Sequence, residues 1–270
     1  MEDYSEILEY AVDIARKTGE FVHDARAGGL HVDAKSRIDF VSDKDRMAED
    51  MIRGAIKEKY PDHLFFGEES VYGETLDDEI RQIREFDPDD YVWVVDPIDG
   101  TVNYIRDYPQ YCISIAVVHG GEIIVGVVYD AFRHEAFYAS KGHGAFMNGV
   151  PIHVSDAGAA GDGIITTSMP TFSMDIREKM VAKIPAVSEG FQSMRIWNCA
   201  AVSLASVACG RTDADYEAGI HIWDISAGII LVREAGGTVT QLNGDPCDLT
   251  QMDVLATNGR FHDEAVRILN

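Results

Sequence analysis

The chain has 270 residues, 46% hydrophobic and 26% charged, an ordinary globular composition that excludes a disordered or low-complexity protein. Its 46 acidic residues against 23 basic ones leave a net charge of -23 and a pI near 4.6. Such a surface repels nucleic-acid phosphates and anionic membranes. No run of 18 apolar residues is present, and Met1-Glu2-Asp3-Tyr4-Ser5-Glu6 lacks the basic and apolar features of a signal peptide. The expectation is a soluble cytoplasmic protein with neither a nucleic-acid nor a membrane partner.

From Tyr4 to Ala25, Ile7, Leu8, Val12, Ile14, Ala15, Phe21 and Val22 recur near helical spacing, which predicts an amphipathic helix closed by Gly28-Gly29. A short strand is expected over Ile38 to Ser42, with Ser42 capping a helix through Met47, Met51, Ile52 and Ile56 that ends at Pro61. His63 to Phe66 reads as a strand delivering Gly67-Glu68-Glu69-Ser70, and the acidic stretch Val71 to Asp90 as surface helix and loop. Tyr91-Val92-Trp93-Val94-Val95 has no alternation and is expected to be buried on both faces. Strands near Cys112 to His119 and Ile123 to Asp130 flank the turn pair Gly120-Gly121, with shorter strands at Ala136 to Ala139 and Ala145 to Met147.

Turn residues crowd between Asn148 and Gly163, which divides the chain into an N-terminal α+β domain (1–150) and a C-terminal α/β domain (151–270). The second half is expected to hold strands at Ile164 to Ser168, Ala214 to Glu217 and Thr238 to Gln241. Helices are expected at Asp175 to Ile184, Ala200 to Cys209 and Asp224 to Ala235. This alternation defines a mixed α/β class.

Asp96-Pro97-Ile98-Asp99-Gly100-Thr101 follows the buried strand directly. Two carboxylates about 4 Å apart repel by about 4 kcal/mol at an effective dielectric near 20 unless a cation lies between them. Mg²⁺ prefers one or two carboxylates together with waters and phosphate. Gly100 permits close backbone approach, and a helical turn starting at Asp99 would aim the Gly100 and Thr101 N–H groups at an anion. The competing reading is a surface turn, in which Asp-Pro and Asp-Gly are common.

Glu68-Glu69 after an apolar strand and Asp224 opening an apolar helix could join such a site. Taken alone, the first pair reads equally as solvated surface and Asp224 reads as an N-cap; jointly, three acidic groups at the ends of buried elements read as a polynuclear Mg²⁺ site. Asp43-Lys44-Asp45-Arg46-Met47 fails as a calcium loop because Met47 cannot ligate. Cys112, Cys199, Cys209 and Cys247 have no metal-finger spacing and are read as reduced core thiols. His221 is read as structural. With 8 Lys against 15 Arg, the acidic surface is compatible with a salt-rich interior where screening softens self-repulsion.

These residues resemble the inositol monophosphatase family of Mg²⁺-dependent sugar-phosphate phosphatases. The resemblance rests on Gly67-Glu68-Glu69-Ser70, on Asp96 through Tyr104, and on Trp223-Asp224-Ile225-Ser226-Ala227-Gly228 running to Glu234-Ala235-Gly236-Gly237. It implies a five-layer αβαβα sandwich of the carbohydrate phosphatase type, a homodimer, two to three Mg²⁺ ions and inhibition by Li⁺. By the same resemblance, Glu68, Asp96 and the Ile98 carbonyl hold one ion, Asp96, Asp99 and Asp224 a second, and Glu68 with waters a third. Thr101 and Asp45 orient and deprotonate the attacking water, with Glu69 behind the ligands. Gly100 and Thr101 N–H groups bind phosphate, which Asp99 and Asp224 also adjoin. Ala200 and Glu217 belong to the substrate pocket, and Lys35 matches a lysine near the ions. The expected reaction is hydrolysis of myo-inositol 1-phosphate by metal-activated water. Fructose-1,6-bisphosphatase or dual activity is the first alternative, and a non-catalytic metal-binding or interaction protein on this scaffold the second.

Overall fold

The computed structural model describes residues 3–34, 40–71, 76–169, 173–247, 249–250 and 253–270. The first helix, α1 (Ser5–Ala25), forms where the periodicity places it, with Ala11, Ile14, Ala15 and Val22 on its buried face. β1 (Val32–Ala34) and β2 (Phe40–Ser42) pair antiparallel, and Ser42 caps α2 (Asp43–Lys59), its hydroxyl accepting from the Lys44 N–H at 3.2 Å. Of the strand expected over Ile38 to Ser42, Ile38 and Asp39 lie outside the described residues, as does Lys35.

β3 (Leu64–Gly67) is followed by α3 (Leu76–Glu85), β4 (Val92–Asp99), α4 (Thr101–Ile105), β5 (Cys112–His119), β6 (Glu122–Asp130), β7 (Glu135–Ser140), β8 (Ala145–Met147) and β9 (Val150–Ile152). These seven strands make one sheet in the order β3-β4-β5-β6-β7-β8-β9. After it come β10 (Ile164–Thr167), α5 (Met174–Gly190), β11 (Ser193–Ile196), α6 (Ala200–Ala208), β12 (Ala214–Ala218), α7 (Ile222–Glu234), β13 (Thr238–Thr240), β14 (Asp253–Thr257) and α8 (His262–Leu269). Their strands form a second sheet in the order β11-β10-β12-β14-β13.

The layers follow from what each element buries. α1 and α2 cover one face of the seven-stranded sheet, in a core of Ile14, Ile52, Trp93, Ile113 and Val127. α6 and α7 are apolar nearly all round, because they lie between the two sheets and pack on both. α5 and α8 close the outer face of the five-stranded sheet over Ile165, Met180, Tyr216 and Leu255. The result is an αβαβα sandwich, as the family resemblance implied.

Several elements depart from the sequence reading. α5 runs on through Pro185, where a stop was expected. The one bond a proline removes there would have ended on the carbonyl of Val181, a half-exposed residue on a turn that water reaches. β1, β9, β11, β14 and α8 were not foreseen; Ser193-Met194-Arg195-Ile196 alternates polar and apolar over only four residues, and Asp253-Val254-Leu255-Ala256-Thr257 has only three apolar residues between polar ends. The stretch after Val71 is not all surface. Within α3, Glu79 is buried at 2% exposure, and its carboxylate meets the His221 Nδ1 at 2.9 Å.

Candidate functional site

The pocket lies where the carboxyl-terminal ends of parallel strand pairs face one another, a usual place for ligands in open α/β sheets. β3 and β4 run parallel with Gly67 opposite Val95, so Glu68 and Asp96 emerge side by side. The Glu68 N–H donates to the Val95 carbonyl at 3.1 Å and pins that loop. β4 then continues through Asp96 to Asp99 with a break in its register against β5 between those two residues. The segment is therefore an irregular strand end and not a surface turn.

Asp99 finishes β4, so α4 does not start there as expected. Gly100 is its N-cap at φ 86°, ψ 36°, and the helix begins at Thr101. That positive φ suits glycine, and an added Cβ would meet the Gln110 carbonyl oxygen at 2.8 Å. From the second half, α6 donates the Ala201 N–H to Asp99 Oδ2 at 2.7 Å. α7 is tied to β5 by the Ser114 hydroxyl, which donates to the Trp223 carbonyl at 2.8 Å. Asp224 is not the N-cap of α7; His221 is, and its N–H donates to Asp224 Oδ2 at 3.3 Å. The Asp224 carboxylate stands three residues inside the helix and faces the strand end.

Asp96, Asp99 and Asp224 each bring an oxygen within 4.8 Å of the others. They line a cavity of about 140 Å³ together with Glu68, Ile98, Gly100, Thr101, Ala200 and Glu217. At that separation or closer each ionised pair costs about 3.5 kcal/mol or more at an effective dielectric of 20. Burial first, then the neighbouring Glu68, Asp224 and Asp99 charges, drives the Asp96 carboxyl well above the usual range. Burial pushes Asp99 up to about 7, with Asp224 adding to it. Burial also raises Asp224, to about 6, although the His221 charge opposes it. No Lys or Arg stands among the described residues that line the cavity. A cluster of carboxylates with no Lys or Arg to balance it fits a hard divalent ion.

Thr101 and Asp45 also meet. The Thr101 hydroxyl lies 3.1 Å from Asp45 Oδ1 and 3.0 Å from the Ile98 carbonyl oxygen, so it can donate to either. Asp45 lies behind Thr101, 1% exposed, and its Oδ2 accepts from the Ser42 N–H at 2.8 Å and the Ser42 hydroxyl at 2.5 Å. Burial, assisted by Glu68 and Glu69, lifts this carboxyl to about 7. Glu69 itself does not line the cavity. Its N–H donates to Glu49 Oε2 at 2.7 Å, and its carboxylate stands 4.0 Å from the Arg46 Nε.

Glu217 reaches the cavity wall, but both its oxygens already accept from Ser168, at 2.8 Å from the hydroxyl and 3.1 Å from the N–H. Burial and the adjacent Asp215 hold its carboxyl well above the ordinary value. Three contributors escaped the sequence reading. His221, taken as structural, lines the cavity, and Glu79 orients it. Glu49, at 2% exposure, anchors the 67–70 loop through the Glu69 N–H and the Ser70 hydroxyl at 2.6 Å. The signal for Glu49 was its spacing: it shares a helix face with Asp45, Ile52 and Ile56. Asn198, at φ 53°, accepts the Met169 N–H, and Asn103 Nδ2 donates to the Trp197 carbonyl at 2.8 Å, joining α4 to the loop before α6.

A layered αβαβα sandwich with an acidic pocket at its converging strand ends is the architecture of the carbohydrate phosphatase class. Residues 3–270 match the model of the inositol monophosphatase family, and the chain belongs to that family. An inositol monophosphatase of Mesembryanthemum crystallinum is 35% identical, the match covering 97% of this chain and 95% of that protein. A protein of Xylella fastidiosa named Nus factor SuhB is 38% identical over 90% of this chain and 83% of its own. The solved structure of a Thermotoga maritima IMPase superposes with a TM-score of 0.84 at 31% identity, covering 98% of this chain and 97% of the other.

Proposed function

We propose that the protein is a Mg²⁺-dependent phosphomonoesterase that hydrolyses myo-inositol 1-phosphate to inositol and phosphate. The observation that carries this reading is the convergence of Asp96, Asp99 and Asp224 beside the Thr101–Asp45 pair. Glu68, Asp96, Asp99, Asp224 and the Ile98 carbonyl would hold the ions. When bound, Mg²⁺ supplies charge neutralisation at the phosphoryl oxygens and makes water more acidic.

The chain's own groups do the rest. An attacking water beside Thr101 donates to its Oγ1, and the Thr101 hydroxyl passes its own proton to Asp45 Oδ1. Burial holds the Asp45 carboxyl above the usual carboxylate range and makes it a better acceptor for that proton, a contribution of about 10²–10⁴-fold for a positioned base. As the water oxygen bonds to phosphorus the ester P–O bond breaks, and the inositol oxygen leaves with a proton from solvent. The Gly100 and Thr101 N–H groups meet a phosphoryl oxygen at the start of α4. Glu217 and Ala200 line the wall that the inositol ring would face.

Phosphate release is measured with Mg²⁺, with chelator and in Asp96→Asn. The expected result is Mg²⁺-dependent turnover that falls by about 10²-fold or more in the variant. Full activity in Asp96→Asn would overturn the assignment. The ratio of kcat/KM on inositol 1-phosphate and fructose 1,6-bisphosphate orders the two substrates. The second reading, a non-catalytic interaction protein, is favoured by the relative named as a Nus factor. Absence of turnover on either substrate with Mg²⁺ present would establish it over the first.

A further inference from the structure

We propose that Asp99, Cys112 and Cys199 form a second metal site, which takes a thiophilic divalent cation such as Zn²⁺. The two cysteines are 87 residues apart and come from the two halves of the chain, Cys112 opening β5 and Cys199 capping α6. Their Sγ atoms lie 3.8 Å apart. A tetrahedral ion with metal–sulfur bonds of about 2.3 Å spans an edge of about 3.8 Å between two sulfurs, so the pair is already at ligating separation. Cys112 Sγ stands 3.9 Å from Asp99 Oδ2, where the corresponding sulfur–oxygen edge is about 3.5 Å. Cys199 Sγ is 3.5 Å from the Asp99 carbonyl oxygen, a fourth candidate donor. Oxygen and sulfur atoms of the three side chains all fall within 4.8 Å of one another.

The donor chemistry separates this site from the oxygen cluster beside it. Two sulfurs select a soft or borderline ion, whereas Mg²⁺ demands oxygen at about 2.0–2.1 Å in octahedral array. Both cysteines are fully buried, and Asp99, which lines the cavity, is the point of entry. Binding exchanges protons for the ion: each thiol releases its proton to solvent, one cation takes the two sulfurs and the carboxylate, and no electron moves. Asp99 belongs to both clusters, so a thiophilic ion competes for a carboxylate that the oxygen cluster uses. The site thus couples the pocket to the level of such ions.

The test uses the full chain, stripped of metal and held reduced, titrated with Co²⁺ in the absence of substrate. The expected result is a thiolate-to-cobalt charge-transfer band that persists with Mg²⁺ in excess to occupy the oxygen cluster and is bleached by Zn²⁺. It is absent in Cys112→Ala and in Cys199→Ala, and retained in Cys209→Ser and Cys247→Ser. Circular dichroism checks that each variant is folded, and either one of the two site variants suffices if the other is not. No band in the wild-type protein would overturn the proposal, as would a band that persists in a folded site variant. A pair that instead closes to a disulfide on exposure to air, with no cobalt band when reduced, would also overturn it. Since no turnover is measured, the result is independent of the phosphatase reading.

Discussion

Gly126→Ala tests whether α7, and Asp224 with it, is positioned by direct contact with the seven-stranded sheet. Gly126 lies in β6 directly beneath α7. A Cβ there would sit 2.7 Å from the Ala227 carbonyl oxygen, 3.0 Å from the Ala227 Cα and 2.4 Å from the Ile230 Cγ2. Ile230 can rotate away, but the Ala227 backbone cannot. Restoring ordinary contact at about 3.5–4.0 Å between carbons requires the helix to lift by about 0.5–1 Å. Overpacking of that kind costs about 1–3 kcal/mol. At about 2–4 °C per kcal/mol for a chain of this size, the melting temperature falls by about 2–12 °C. Asp224 lies less than one turn from Ala227, so the lift also carries its carboxylate off Asp96 and Asp99 and raises the Mg²⁺ concentration needed for half-maximal binding. Gly54→Ala is the control, since Gly54 is exposed in the middle of α2 with nothing within 4 Å of an added Cβ. It is expected to gain about 0.5–1 kcal/mol from helix propensity. Thermal melts and Mg²⁺ titrations of both variants decide the matter. A Gly126→Ala protein that melts with the wild type and binds Mg²⁺ as tightly would refute the close-packing argument.

Ser42→Ala removes the α2 cap and one donor to Asp45, and is expected to cost about 1–2 kcal/mol in denaturant unfolding. His262 is held below its ordinary value by burial, with ring nitrogens 2.9 Å from the Thr240 and Thr257 hydroxyls. The folded chain therefore binds that proton less readily than the unfolded one. The stability this contributes is complete above about pH 6.5 and is lost as pH falls through the lower folded value. His262→Gln should flatten the stability profile across that window relative to wild type, and parallel profiles would refute the assignment. A net charge of -23 makes self-repulsion a standing cost, so the melting temperature should rise from low to molar KCl; a flat response would dismiss adaptation to a salt-rich interior.

What could be read from the order of residues was local. A strand buried on both faces is a run of apolar residues whatever surrounds it, so Val92 to Val95 was evident, and so was the oddity of Asp96 and Asp99 at its end. Ser42 announced α2, and Gly120-Gly121 a hairpin, because caps and turns are settled by residues a few positions apart. Expecting Asp96, Asp99 and Asp224 to share a site needed the family pattern as well, since no local rule joins residues more than a hundred positions apart. Tertiary structure alone decided the rest. Glu79 sits in an acidic stretch that reads as surface until α3 lays it against His221, and Glu49, though spacing puts it on the inner face of α2, has no visible partner until the 67–70 loop folds over it. Cys112 and Cys199 are unremarkable in their own segments and become a pair only because α6 is wedged between two sheets. Packing of that middle layer depends on the shapes of surfaces that form after the helices and strands exist, and periodicity carries no record of which surfaces will meet.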